Sequence, residues 1–389
     1  MINDKMKALG QNRSKIRDLF EYGNTLKENG KTVCDFTLGN PSVKTPKSVS
    51  KILKDGLKNS DIHAYTSAQG TLKARRKIAT DLNAKGKAKF SEQGVIITCG
   101  AAGSLCGVFN AITNNNSEIV VLAPYFPEYK VFIESAGARF VPVAFSGDFT
   151  PDFAEFEKAI TKDVSAVVIN NPNNPSGKVY SYTEIYSLAE ILRNKEKEFN
   201  HPIYLISDEP YREIIFDNET LPFIPDIYKN TIICYSYSKS LSLPGERIGY
   251  VAIPNETCLF NDLCASVLGS LRSIGHVCAP SLFQYLIENF DGEYSNFSIY
   301  KNNRDALLKE LTNLGFKCNN PKGAFYLLVK APDGNSENMS EKAKKLGLLI
   351  VPANSFGASG WVRLATCVSK QTVKDGIELF KSLAKEYEL

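Results

Sequence analysis

The strongest constraint on this chain is a set of short apolar runs in which hydrophobic residues do not alternate with polar ones. They are Val95 to Thr98, Ile119 to Ala123, Ala166 to Ile169, Ile203 to Ser207, Thr231 to Tyr235 and Ile248 to Ile253. A strand with one wet face alternates, so runs of this kind predict strands covered on both sides. Segments of helical pattern stand among them, including one ending near Ile112, Tyr182 to Arg193 and Asp262 to Ser270. Strands alternating with helices predict an α/β fold with a mostly parallel sheet. At 389 residues, the chain exceeds the size at which one core stops growing, about 250–300 residues, so a large domain with a smaller companion is expected.

Composition narrows the class. A hydrophobic share of 43% with 23% charged residues is that of a soluble globular protein. The net charge of +4 has no basic block behind it. The lysine-rich patches at Lys85 to Lys89 and Lys342 to Lys345 read as solvated faces, and no nucleic-acid partner is expected. Met1 to Asp18 lacks the apolar centre of a secretory leader, and no apolar run approaches about 18 residues, so a cytoplasmic protein without a membrane partner is expected. Nine cysteines without a close CxxC pair, beside three histidines, predict buried thiols in a reducing compartment and no metal site.

The chemistry concentrates after the run Thr231 to Tyr235, in the stretch Ser236 to Tyr250. Open α/β sheets bind ligands beyond the C-terminal ends of their strands, which is where Lys239 and its flanking serines would emerge. One amine able to form an imine, with hydroxyls around it and Arg247 eight residues on, suits pyridoxal phosphate: a carbonyl for the amine, a phosphate for the donors. The run Ile203 to Ser207 delivers Asp208, and a carboxylate at such a strand end is costly unless it meets a cation. After Val95 to Thr98, the small residues Cys99 to Ser104 let backbone amides close on an anion at a helix N-terminus. Asn170 to Gly177 is dense in turn residues.

In these segments the chain resembles the pyridoxal-phosphate enzymes of the aspartate-aminotransferase fold, the class I/II aminotransferases. Gly39-Asn40-Pro41, Tyr65, Asn174-Pro175-Ser176-Gly177, Asp208-Glu209-Pro210-Tyr211, Ser236-Tyr237-Ser238-Lys239, Arg247 and Arg363 fall in the family's order over nearly the whole chain. The resemblance implies fold type I: a large domain over 46–285 with a mostly parallel seven-stranded sheet, and a smaller α+β domain from 1–45 and 286–389. It implies pyridoxal 5'-phosphate as cofactor, with Lys239, Asp208 and Tyr211 as the catalytic residues. Lys239 would carry the Schiff base, Asp208 would face the pyridinium nitrogen, and Asn174 and Tyr211 the phenolic oxygen. Ser236, Ser238, Arg247 and the backbone of Gly100, Ala101 and Ala102 would hold the phosphate, and Phe126 would stack on the ring. Many relatives carry a hydroxyl where Ala102 stands, with Ser104 the candidate substitute.

For the substrate, the resemblance implies Gly39, Asn174 and Arg363, the last gripping the α-carboxylate through its planar fork. It also implies a homodimer with shared active sites, in which Tyr65 reaches the partner subunit's phosphate. Arg272, in the segment Leu271 to Pro280 read as a loop, is the candidate reader of a distal carboxylate across the interface, although His276 and Val277 depart from the family's Ser-Asn pair there. The expected reaction moves an amino group from an L-amino acid, with aspartate or glutamate as candidates, to a 2-oxo acid. The alternative is a carbon–sulfur lyase or decarboxylase on the same scaffold, sharing Lys239, Asp208 and Arg363. A regulator that kept the fold is expected to need an attached DNA-binding domain, for which this reading leaves no segment.

Overall fold

The computed structural model describes residues 2–11 and 14–389. Seven strands form its main sheet: β1 (Val95–Thr98), β2 (Glu118–Leu122), β3 (Arg139–Val143), β4 (Val164–Asn170), β5 (Tyr204–Asp208), β6 (Thr231–Ser236) and β7 (Gly249–Ala252). Their order is β1-β7-β6-β5-β4-β2-β3. Only β7 runs against its neighbours, pairing antiparallel with β1 and β6. The remaining pairs are parallel.

Successive residues of these strands point to opposite faces, and each face has its own core. Ile96, Val121, Ile206 and Cys234 meet the helices Gly100–Ile112 and Phe260–Ser273 on one side. Ile97, Ile233 and Tyr235 on the other side pack with Ile78 and Leu82 of the helix Leu72–Asn83, while Val120, Val167 and Leu205 meet Leu188 and Leu192 of the helix Tyr182–Phe199. Double coverage is why the strands read as unbroken apolar runs. The exception, β3, is a half-exposed edge that accommodates Pro142, as an edge strand can.

A second, antiparallel sheet consists of β8 (Tyr326–Lys330), β9 (Val351–Pro352) and β10 (Trp361–Ala365), in the order β8-β10-β9. Leu307 and Leu311 of the helix Ser298–Asn313 and Phe380 of the helix Lys370–Lys385 pack with Leu327, Val329 and Leu364 of this sheet. The N-terminal segment joins the same body, because Cys34 and Asp35 pair in parallel with Leu348 and Leu349. Among the described residues, no helix is long and apolar enough to cross a membrane.

The largest departure from the sequence reading concerns Arg272. The helix expected over Asp262 to Ser270 runs from Phe260 to Ser273, which takes Leu271 and Arg272 out of the loop. Leu271 is buried against Gly107, where an added Cβ would lie 2.7 Å from the leucine's Cδ2. That contact lets the two helices approach and holds the last turn wound. The helix begun at Tyr182 likewise continues past Arg193 to Phe199, ending at Asn200 with φ of 57°.

The strand registers bring one edge of the main sheet together. Asn170 stands beside Asp208, Asp208 beside Cys234, Ser236 beside Gly249, and Gly249 beside Thr98. Four strand ends and the start of β7 therefore open onto the same place.

Candidate active site

Asp208 closes β5 in a fully buried position. Its Oδ2 accepts from the Tyr129 hydroxyl and from Asn170 Nδ2 at 3.3 Å, while Oδ1 has no partner among the described residues. Burial raises the carboxyl to about 7, with Glu209 adding to the rise and the Tyr129 hydrogen bond opposing it. A buried acceptor atom left unpaired is costly, and a cationic donor above the strand end would satisfy it. Asn170 also accepts from the Asn174 backbone amide at 2.6 Å, which fixes the turn 170–177 to the same strand end.

Lys239 sits on the one-turn helix Tyr237–Ser240, capped by Ser236, whose Oγ accepts from Ser238 N at 3.2 Å. The Ser236 and Ser238 hydroxyls are 2.7 Å apart. Lys239 Nζ donates to Gly39 O at 2.7 Å and lies 5.4 Å over the Phe325 ring. Burial brings its ammonium down to about 8, with Arg247 and Arg363 pushing the same way and Cys367 opposing. At Gly39 an added Cβ would fall 2.0 Å from Tyr326 Oη, so the position excludes every side chain.

Beside Lys239 the backbone is shaped for an anion. Gly100, with φ of +75°, opens the helix Gly100–Ile112 directly after β1, and Cys99 before it makes no side-chain cap. The first amides of Gly100, Ala101 and Ala102 therefore keep their donors for a ligand. A Cβ on Gly100 would meet Arg247 Nη2 at 3.1 Å, and one on Gly249 would meet Tyr235 O at 2.3 Å. Arg247, itself at φ of 52°, is exposed and donates from Nη1 to Pro244 O at 2.9 Å. Ser104 is not turned toward this cradle: its buried hydroxyl pairs with Thr98 Oγ1 at 2.7 Å and with Gly100 O at 3.4 Å.

Arg363, in the middle of β10, is buried between the rings of Tyr326 and Phe356, 4.5 and 4.9 Å from their centroids. It donates from Nη2 to Thr37 O at 2.7 Å and from Nη1 to Asn174 Oδ1 at 3.2 Å, and its Nε is unpaired. The Tyr211 and Tyr326 hydroxyls are 3.1 Å apart. Phe126, half-buried, stands edge-on to Tyr129 at 5.7 Å. Two expected residues stay outside the set within one chain: Tyr65 is 99% exposed, and Arg272 is exposed on the last turn of its helix.

Four participants escaped the sequence reading. Tyr129 and Asn170 hold Asp208, Tyr326 holds Tyr211, and Thr37 supplies a carbonyl to Arg363. Tyr129 falls in the first turn of the helix Glu128–Ser135, three residues after Phe126, whose ring it meets edge-on. Tyr326 follows the aromatic Phe325. Thr37 acts through its backbone and carries no side-chain signal.

These residues suit pyridoxal phosphate at three separate points: an amine, an anion cradle, and a buried carboxyl with an unpartnered oxygen. Comparison with known proteins agrees. The family model for aminotransferase class I and II matches residues 31–380. Aspartate aminotransferase of Pyrococcus horikoshii is 29% identical over 386 residues, which cover 97% of this chain and 95% of that one. Aspartate/prephenate aminotransferase of Thermus thermophilus is 27% identical over 369 residues, covering 91% and 92%. Among solved structures, an amino transferase from Eubacterium rectale matches at a TM-score of 0.97 with 45% identity, covering 100% of both chains. Aspartate aminotransferase from Thermus thermophilus with maleate matches at 0.88 with 25% identity, covering 98% and 99%. The chain belongs to the class I and II aminotransferases, enzymes that work with pyridoxal phosphate and pass an amino group from an amino acid to a 2-oxo acid.

Proposed function

We propose that the amino donor is aspartate or glutamate and that Lys239, Asp208 and Tyr211 carry the chemistry. The observation that supports the site most directly is the Asp208 carboxyl, buried with one oxygen unpaired at the strand end that Lys239 and Arg363 also serve. Pyridoxal phosphate, when bound, supplies an aldehyde that captures amines and a ring that accepts the electron pair released at the substrate Cα. The chain's own residues do the rest. Lys239 would hold the aldehyde carbon, and its amine is the base placed to carry a proton to and from the substrate Cα. Its ammonium, brought down to about 8, is readily neutralised for that work. Asp208 keeps a proton on the ring nitrogen. Tyr211 and Asn174 donate to the phenolic oxygen, and Phe126 covers the ring face. Ser236, Ser238, Arg247 and the amides of Gly100 to Ala102 hold the phosphate. Arg363 grips the α-carboxylate beside Gly39, whose bare backbone leaves room for it.

A homodimer completes this reading. Tyr65, exposed in a single chain, would reach the phosphate of the partner's site, and Arg272, on an exposed helix end, would meet the substrate's second carboxylate there. The relatives named for aspartate, and the Thermus structure with the dicarboxylate maleate, favour an acidic substrate. Buried thiols at Cys34, Cys234, Cys264 and Cys367 suit a cytoplasmic location.

The test compares kcat/KM for aspartate and for alanine with 2-oxoglutarate as acceptor, in wild type and Arg272→Ala. A charge-assisted pair contributes about 1.5–3 kcal/mol, so aspartate should lose roughly tenfold to a hundredfold and alanine little. Equal losses would remove Arg272 from the site. With cysteine in place of these substrates, release of pyruvate, ammonia and sulfide without an acceptor would instead support the carbon–sulfur lyase reading.

A further inference from the structure

The buried Tyr211 and Tyr326 hydroxyls lie 3.1 Å apart, and among the described residues no other hydrogen bond satisfies either. A phenol has one proton. One of the two must therefore donate to the other, and the direction decides which of them keeps a proton for the site.

The surroundings favour one direction. The guanidinium of Arg363, 4.5 Å from the Tyr326 ring centroid, has donors only and accepts from neither phenol. Gly39 covers Tyr326 Oη so closely that an added Cβ would sit 2.0 Å away, and the Gly39 carbonyl is already taken by Lys239 Nζ at 2.7 Å. A Tyr211 phenol that gives its one proton to the cofactor's oxygen has none left for Tyr326, so the 3.1 Å bond between the two hydroxyls then runs from Tyr326 to Tyr211.

Neither ring is free to swing. Tyr326 opens β8 in register with Ala365 and meets Tyr211 edge-on at 5.8 Å. The segment after Tyr211 is tied to the residues before Tyr326, because Ala324 N donates to Ile214 O at 2.9 Å and Phe216 N to Lys322 O at 2.8 Å.

We propose that Tyr326 is a positioning residue: it donates its phenolic proton to Tyr211 Oη and so commits the Tyr211 proton to the cofactor's phenolic oxygen. The inference rests on the reading above that places Tyr211 at that oxygen. Tyr326 never touches the reacting atoms. It sets the direction of a hydrogen bond that a lone tyrosine could turn either way.

The test uses Tyr326→Phe, Tyr211→Phe and the double variant as holoenzymes. Each keeps its ring, and Tyr326→Phe keeps the contact to Arg363. The main readout is the pH midpoint of the cofactor's absorbance change in the unreacted enzyme, followed beside kcat and KM. A hydrogen bond donated to an anionic oxygen favours the form carrying the anion, so weakening it raises the midpoint. Tyr211→Phe should raise the midpoint most, and Tyr326→Phe by about half a pH unit. The double variant should match Tyr211→Phe alone, because Tyr326 acts through Tyr211. Tyr326→Phe should also lower kcat by about tenfold with KM nearly unchanged. If Tyr211→Phe raises the midpoint and Tyr326→Phe does not, the inference fails while the placement of Tyr211 stands. If Tyr211→Phe leaves the midpoint unmoved, that placement fails and takes the inference with it. Additive shifts in the double variant would mean Tyr326 acts independently of Tyr211, which also overturns the proposal.

Discussion

The hydroxyl of Tyr129 donates to the carboxylate of Asp208, joining two buried residues 79 positions apart in the chain. Tyr129 is brought there by the helix Glu128–Ser135, which follows β2, and Asp208 by the end of β5. The bond opposes the effect of burial on the carboxyl, which still rises to about 7. Tyr129→Phe removes that opposition and should raise the carboxyl further. In the cofactor-free protein the Asp208 titration, followed by NMR of its carboxyl carbon, is then expected to move to higher pH, by about half a unit to one unit. An unchanged midpoint would show that the Tyr129 bond does not hold the carboxyl down.

The same carboxyl affects stability in the cofactor-free protein. Its folded pKa lies above the ordinary 3.8, so the folded state holds the proton more tightly than the unfolded chain. Stability should therefore fall as pH rises from 3.8 to about 7 and level off above. Asp208→Asn removes this loss. Thermal unfolding of the apo forms should show the variant stabilised at pH 8, by on the order of 2 kcal/mol, and little changed at pH 3.

Lys239 should react with pyridoxal phosphate faster as pH rises through about 8, where its buried amine becomes neutral. Mixing the apo protein with the cofactor and following absorbance across pH measures this. Lys239→Ala should show no covalent signal and no transfer activity at any pH. A borohydride-reducible adduct persisting at full turnover would place the reactive amine elsewhere.

Arg363→Lys should raise KM for the amino acid about tenfold to a hundredfold, since a point charge replaces a fork that presently spans Thr37 O and Asn174 Oδ1. Lysine also loses the flat stacking between Tyr326 and Phe356. Steady-state kinetics with wild type as reference decides the matter, and a KM within about twofold would count against the assignment.

Asp217 receives Arg304 Nη1 at 2.8 Å and Nη2 at 3.0 Å, with Lys301 and Lys322 close by. Hydrogen bonding to Arg304 holds its carboxyl well below the usual range. The pair's contribution is thus complete above pH 4 and lost as pH falls below it. Asp217→Asn should destabilise the protein by about 2 kcal/mol at neutral pH, because the buried Arg304 loses the carboxylate that receives Nη1 and Nη2 and keeps only Asp305 at Nε. Denaturant unfolding at pH 7 and again in acid should show that difference shrinking.

The local part of this protein was legible in the sequence. Unbroken apolar runs announced strands covered on both faces, and the sheet has that form because helices pack on each side. Lys239, its serines and Arg247 lie within twelve residues of one another, so their grouping needs little beyond one strand end and one turn. Asp208 could be read in the same way, as the residue closing a single strand, whereas Asn174 is singled out of its turn only by the family resemblance.

Other features needed the tertiary structure. Tyr129 reaches Asp208, Tyr326 reaches Tyr211 and Thr37 reaches Arg363 only because separate strands and helices place them at one edge. Tyrosine serves equally well as core, and a backbone carbonyl has no residue type, so composition cannot mark such roles. Arg272 shows the same limit at the level of secondary structure. Its segment has the polar and glycine content of a loop, yet Leu271 buries against Gly107 and keeps the last turn helical. Local propensity is worth fractions of a kilocalorie per residue, and one buried leucine outweighs it.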